Sequence, residues 1–215
     1  MTTRLDLRTM VRRRIADTGA DPVWDDDFLN DAIAEAVRRY STRVPRQAVV
    51  AVEVTTGDRE ISLPEDVNSL RVVRLFDDQG VRWKRWEGGG AAEPPVPNGP
   101  STGVSTWRAW GTELLLAAPA LRTGLWRIEH MAHRADPSDD VSPLDIQPDD
   151  EDLLIAQTVA IALERRAIAD GKRYTGRAGV HPLAAAARSA RIDADRLFFE
   201  RIRKPRGSYF DRQAG

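Results

Sequence analysis

The chain has 215 residues, with 32 Lys plus Arg against 33 Asp plus Glu and a formal charge of -1, so no molecule-wide basic field exists to gather nucleic acid or anionic lipid. Cysteine is absent, which excludes disulfides, thiol nucleophiles, iron–sulfur clusters and cysteine-ligated zinc together. The opening residues form no apolar leader and no run nears the roughly 18 apolar residues of a membrane span. A soluble chain of one large or two small domains is expected.

The first helix is expected over 5–16, where Leu7, Val11 and Ile15 recur on one face. Arg4, Arg8 and Arg12 share that spacing and form a basic stripe beside it. Gly19 and Pro22 close the element. Asp25 then caps a second helix, with Trp24 folding onto Leu29 and acids filling the first turn. Its broad apolar face runs through Phe28, Leu29, Ala32, Ile33, Ala36, Val37 and Tyr40, and Pro45 ends it.

After Pro45 the hydrophobic period changes to alternation. Val50, Val52 and Val54 line one face of a strand, Thr56-Gly57-Asp58 makes a turn, and 60–63 is expected to return as the partner in a hairpin. A second hairpin is expected from 70–76 and 81–86 about Asp77-Asp78-Gln79-Gly80. The Gly- and Pro-rich segment 88–103 reads as a surface loop, and further strands are expected at 105–110, 113–117 and 125–133. Together they imply a small antiparallel sheet, curled to hide its edges.

Residues 136–152 hold eight acids, three prolines and no Lys or Arg, and read as a connector leading into the third helix. Acids at its start suit the positive end of the helix dipole. Segment 153–163 is apolar at nine of eleven positions and leaves almost no face for water. Pro182 suits the first turn of a fourth helix, in which Leu183, Ala187, Ala190, Ala194 and Leu197 allow close approach of another helix. The residues beyond are basic and aromatic without periodicity, as in an extended tail. The expected fold class is α+β: a four-helix α-domain with an inserted small antiparallel β-barrel or sandwich and an extended C-terminal tail. Its parts are a discontinuous helical domain (1–46 and 148–203), a β-domain (47–135), an acidic connector (136–147) and a tail (204–215).

Chemistry is hard to assemble from these residues. His130 and His133 stand three apart on an expected strand and so point to opposite faces. Asp25-Asp26-Asp27 and the acids at 149–152 suit helix starts better than a cation loop. Walker A, GxGxxG and GxSxG patterns are all missing. No catalytic residue, cofactor or metal site is expected. Interfaces are the better candidates. The Arg4, Arg8 and Arg12 stripe fits either acids of another chain or phosphates. Leu153, Ile155 and Val159, with Ala187, Ala190 and Ala194, call for cover by the other helices or by a second copy, and hint at self-association. Trp83, Trp86, Trp107 and Trp110 form a possible contact surface, since tryptophan anchors interfaces. In the tail, Arg203, Lys204, Arg206, Tyr209 and Phe210 suit a segment that orders on a partner.

The order of these pieces resembles the head-to-tail adaptor proteins of tailed bacteriophages. The first helix, then Trp24-Asp25-Asp26-Asp27-Phe28-Leu29 leading through Ile33 and Ala36 to Tyr40, resembles that family's opening stretch. Ile61-Ser62-Leu63-Pro64-Glu65-Asp66-Val67 is similar to its strand exit, Val72-Val73 to the next strand, and 150–168 to its third helix. The resemblance implies a structural virion protein, not an enzyme, in a homo-oligomeric ring, commonly a dodecamer, between the portal vertex and the tail. It implies a portal-docking C-terminal tail, with Arg203, Lys204, Arg206, Tyr209 and Phe210 as its candidates. It also implies a β-domain, with its four tryptophans, facing the next tail or nozzle component. Double-stranded DNA would pass through the ring without sequence specificity and no membrane would be involved. The expected location is the virion neck, after assembly in the host cytoplasm. The alternative is a DNA-binding or regulatory module using the Arg4/Arg8/Arg12 stripe and the basic tail.

Overall fold

The computed structural model describes residues 2–88, 104–171 and 182–203. The chain divides into two compact units, Met1–Val44 with His133–Gly215 and, inserted between them, Pro45–Ala132. Among the described residues the first holds four α-helices: α1 (Arg4–Arg14), α2 (Asp26–Arg43), α3 (Glu151–Gly171) and α4 (Pro182–Arg203). The second holds seven strands: β1 (Arg46–Val54), β2 (Glu60–Ser62), β3 (Val72–Phe76), β4 (Arg82–Arg85), β5 (Thr106–Trp110), β6 (Glu113–Leu116) and β7 (Gly124–Ala132). Four helices and one curled mixed sheet make an α+β fold.

Local chemistry explains the helix starts. Thr3 and Asp6 form a reciprocal capping box at α1, each bonding to the other's backbone N–H, which satisfies two donors that the first turn leaves free. Asp25 accepts the Asp27 N–H at 3.0 Å and caps α2. A single 3-10 turn (Pro148–Asp150) leads into α3.

Helix α3 is the centre of this unit and touches α1, α2 and α4. Leu153, Leu154, Val159, Ala160, Ile161 and Ala162 are all buried, as a segment with so few polar residues requires. Two adjoining clusters surround it. One joins Leu7, Ile33, Val37, Tyr40, Leu154 and Phe198; the other joins Val11, Trp24, Leu29, Ala36 and Ile161. The acidic stretch 136–147 lies against the helices. Leu144 is in the first cluster, and its N–H donates to the Thr2 carbonyl.

The sheet runs β1-β7-β3-β4-β5-β6-β2. Its core packs Val54, Ile61, Leu75, Trp83, Trp107, Leu114, Trp126 and Ile128, with the rings of Trp83 and Trp126 4.9 Å apart. The sheet curls as expected, and its strand pairing differs from the expectation in two respects. First, β4 and β5 pair in parallel. They are separated by a connection long enough for a crossover, so no hairpin forces them to be antiparallel. Second, β1 and β2 do not form a hairpin ladder: β1 pairs with β7 along its whole length and β2 with β6. The turn is present, but Gly57 donates to the Ala120 carbonyl and Ala120 to that of Asp58, so the turn binds the 120 region and the two strands part. The result is one curled sheet. Its outermost strands are joined through 55–59 alone, a span of about 20 Å at full stretch, whereas seven flat strands would hold them about 29 Å apart. Only curling reconciles the two. The hairpin of β3 and β4 forms as expected, with Asp77 accepting the N–H groups of Gln79 and Val81 and Gly80 in the left-handed region at φ 76°.

Candidate subunit interface

The arginine stripe of α1 is matched by acids of the same unit. Arg4 reaches Asp140 at 2.6 Å. Arg8, itself buried, bonds Asp140 at 2.9 Å and Asn30 at 2.8 Å. Arg12 bonds Asp17 at 2.5 Å, Asp26 at 2.6 Å and the Trp24 carbonyl at 2.7 Å. The hydrogen bond from Arg4, and then that from Arg8, holds the Asp140 carboxyl below the usual carboxylate range. These cations pin the 136–147 stretch and the α2 start onto α1. With carboxylates already in place, they have little left to offer a neighbouring chain or phosphates.

The small-residue line of α4 also turns inward. Ala187 and Ala194 are buried and Ala190 packs against the second helical cluster. Leu153 and Val159 are covered by the unit's own helices, and Ile155 is half-buried between the two clusters. Of the two sources of cover that the sequence leaves open, the unit's own helices supply most.

What remains open lies on the opposite side of α4. Ile192 is 69% exposed and Phe199 64%. Seven residues apart, they share one helical face. Ile168 of α3, also exposed, faces a groove with Ala167, Ala184, Ala187 and Ile192, whose rim carries Arg188 and Arg191. The opposite face of α4 is held fast. Phe198 is buried under the Arg43 guanidinium, 4.6 Å from its ring centre, and Arg201 reaches the buried Asp150 at 2.5 Å and Gln147 at 2.8 Å. Helix α4 thus presents two large apolar side chains to solvent on one face. Sequence reasoning missed it by following the alanine line. The available signal was the Ile192 to Phe199 heptad spacing on the far side.

Helices α2 and α3 are cross-braced below this face. Glu35 accepts from Arg165 at 2.5 Å and also from Arg39. Burial pushes the Glu35 carboxyl upward, but these two cations outweigh it and hold it low.

Family comparison now bears on this arrangement. The family model described as SU10 adaptor protein matches residues 2–205. The chain belongs to the SU10 adaptor family. The match takes in both units of the adaptor, so the resemblance to phage head-to-tail adaptors holds over nearly the whole chain, and a structural head-to-tail role follows from the family. No curated protein matches the chain.

The remaining candidates of this adaptor divide as follows. Trp83 and Trp107 are core residues, with the Trp107 indole N–H donating to the Trp83 carbonyl at 3.3 Å, and Trp86 is half-buried. Trp110 alone of the four is exposed, at 52%, with the Arg108 guanidinium 4.6 Å from its ring centre. Arg203 is the last residue of α4. Lys204, Arg206, Tyr209 and Phe210, like the Gly/Pro loop 89–103, lie outside the described residues. No helix among the described residues is long and apolar enough to cross a membrane.

Proposed function

We propose that this adaptor is a structural component of the neck of a tailed phage. Several copies, a dodecamer in the form the resemblance implies, make a ring between portal vertex and tail. The ring surrounds the channel through which double-stranded DNA leaves, binding it without sequence specificity, and no catalysis is involved. The reach of the family match across both units carries this reading. The exposed Ile168, Ile192 and Phe199 on the helical unit support it, since side-by-side packing of copies would bury them. Near-neutral net charge is compatible with a channel along which phosphates must slide.

In this reading the tail, with Arg203, Lys204, Arg206, Tyr209 and Phe210, docks on the portal, and the Trp110 side of the β-unit meets the next tail or nozzle component. Assembly takes place in the host cytoplasm. Removing 204–215 tests it. Truncated chains should still form rings while pull-down by portal falls at least ten-fold; undiminished portal affinity refutes the docking role. Imaging of native particles tests the ring itself, and absence of the chain from the neck overturns the reading.

A further inference from the structure

The β-unit has two sheet edges of very different character. β2 is three residues long and runs into Pro64, which has no N–H to donate. β1 is nine residues long, pairs among the described residues with β7 alone, and reads Arg-Gln-Ala-Val-Val-Ala-Val-Glu-Val. It has no proline and no bulge in its ladder, and its charges, Arg46 and Glu53, stand near its ends and leave 48–52 apolar. Among the described residues β2 pairs with β6 and not with β1, and along β1 the cover is incomplete. Val54 is buried beside the turn, whereas Val50 and Val52, on the same face and packed on the same core, are only partly so. On the other face Val49 is 51% exposed and Ala51 is exposed.

We propose that a second copy of this chain adds to β1, edge to edge and antiparallel, about a two-fold axis centred on Val50. The sequence of the strand is the argument for the occupant. In the register centred on Val50, Val50 meets the partner's Val50, Val49 meets the partner's Ala51, Ala48 meets the partner's Val52, and Gln47 meets the partner's Glu53. Over 47–53 every apolar residue faces an apolar one and the polar Gln47 faces the polar Glu53; at the two ends Arg46 stands opposite the partner's Val54, and no like charges are opposed. The register is even, so opposed side chains lie on the same face of the joined sheet and both cores lie on one side of it. Such an isologous contact joins two chains and stops. It is therefore distinct from the head-to-tail contacts that a ring requires, and it belongs to the free protein.

The full chain should behave as a dimer by sedimentation or light scattering at about 100 µM; a monomer at that concentration overturns the proposal. Val49→Lys with Ala51→Lys places like charges directly opposite each other on the exposed face. It should weaken the dimer at least ten-fold, with far-UV circular dichroism unchanged. Val49→Glu with Ala51→Glu should do the same. Mixing the two variants should restore pairing as a mixed dimer, and failure of the mixture to pair rejects this register.

A second measurement does not depend on those variants folding. The chain has no cysteine, so Val50→Cys introduces a single thiol. Opposed residues in an antiparallel pair lie about 5 Å apart, within disulfide reach. Diamide oxidation should link these chains, while Leu121→Cys, a fully separate exposed position, should stay unlinked. Equal linking of both rejects the two-fold at Val50. A monomer in solution with rings in particles would sink this inference and leave the proposed function standing; a dimer in solution with no rings would do the reverse.

Discussion

Arg201, in the last turn of α4, places its guanidinium 2.5 Å from Asp150, and the same buried carboxylate accepts the Tyr40 hydroxyl at 2.6 Å. Three elements distant in sequence therefore meet on one charge that is 1% exposed. Arg134 closes the group from the other side. It lies 4.9 Å from the centre of the Tyr40 ring and bonds the Val44 carbonyl and Asp145. Burial, and then the bond to Asp150, raises the Tyr40 hydroxyl far above its ordinary pKa, so it stays a donor at any working pH.

Asp150→Ala should cost about 3–5 kcal/mol of unfolding free energy, because it leaves Arg201 buried without its counter-charge. Tyr40→Phe removes one hydrogen bond to a charged acceptor and should cost about 1.5–3 kcal/mol. Urea titration of each variant measures both. A loss under 1 kcal/mol for Asp150→Ala would mean that water replaces the carboxylate.

Substitutions on the two faces of the helical unit should separate folding from assembly. Val159→Asp buries a charge among Leu29, Ala36 and Ile161 and should cost about 3–5 kcal/mol. Ile192→Asp on the open face should stay within about 0.5 kcal/mol of the unaltered chain and still reduce its incorporation into particles. Thermal melting with quantification of the chain in purified virions distinguishes the two effects.

His130 provides the pH dependence of the β-unit. It is buried on β7 with Nδ1 unpartnered, and burial pushes its pKa below the ordinary value. The unfolded chain takes up a proton near pH 6.5 while the folded one resists. Stability should therefore be highest above that point and fall as pH drops toward the folded pKa, by at most about 1.4 kcal/mol per pH unit from this group. Denaturant midpoints at pH 7.5 and 5.5 measure it, and His130→Phe should flatten the slope between them.

Gly124 opens β7 where a Cβ would stand 2.6 Å from Asp78 Cβ in the β3–β4 turn. Gly124→Ala should force that turn aside and cost about 1–3 kcal/mol, read from the unfolding midpoint. An unchanged midpoint would show that the turn moves freely.

Much of the fold is legible in the residues. The capping Asp25, the apolar faces of α1 and α2, the greasy 153–163 segment, Pro182 at a helix start and the alternation of β1 are local periodicities, and a residue's neighbours in sequence suffice to set them. The identity and existence of the elements followed from such patterns. The reading as an adaptor rested on their order along the chain.

Pairing and exposure were decided only in three dimensions. Thr56-Gly57-Asp58 signals a turn, yet that signal carries no information on which strands the flanking residues join; β1 found β7 and β2 found β6 because long-range packing outweighs local turn preference. Arg4, Arg8 and Arg12 look like a free stripe until Asp140, Asp17 and Asp26 arrive from elsewhere in the fold. The alanine line of α4 and the Ile192 to Phe199 line are both compatible with one helical period. Which of them faces the core depends on the shapes of α2 and α3, and spacing along a single helix does not encode those shapes.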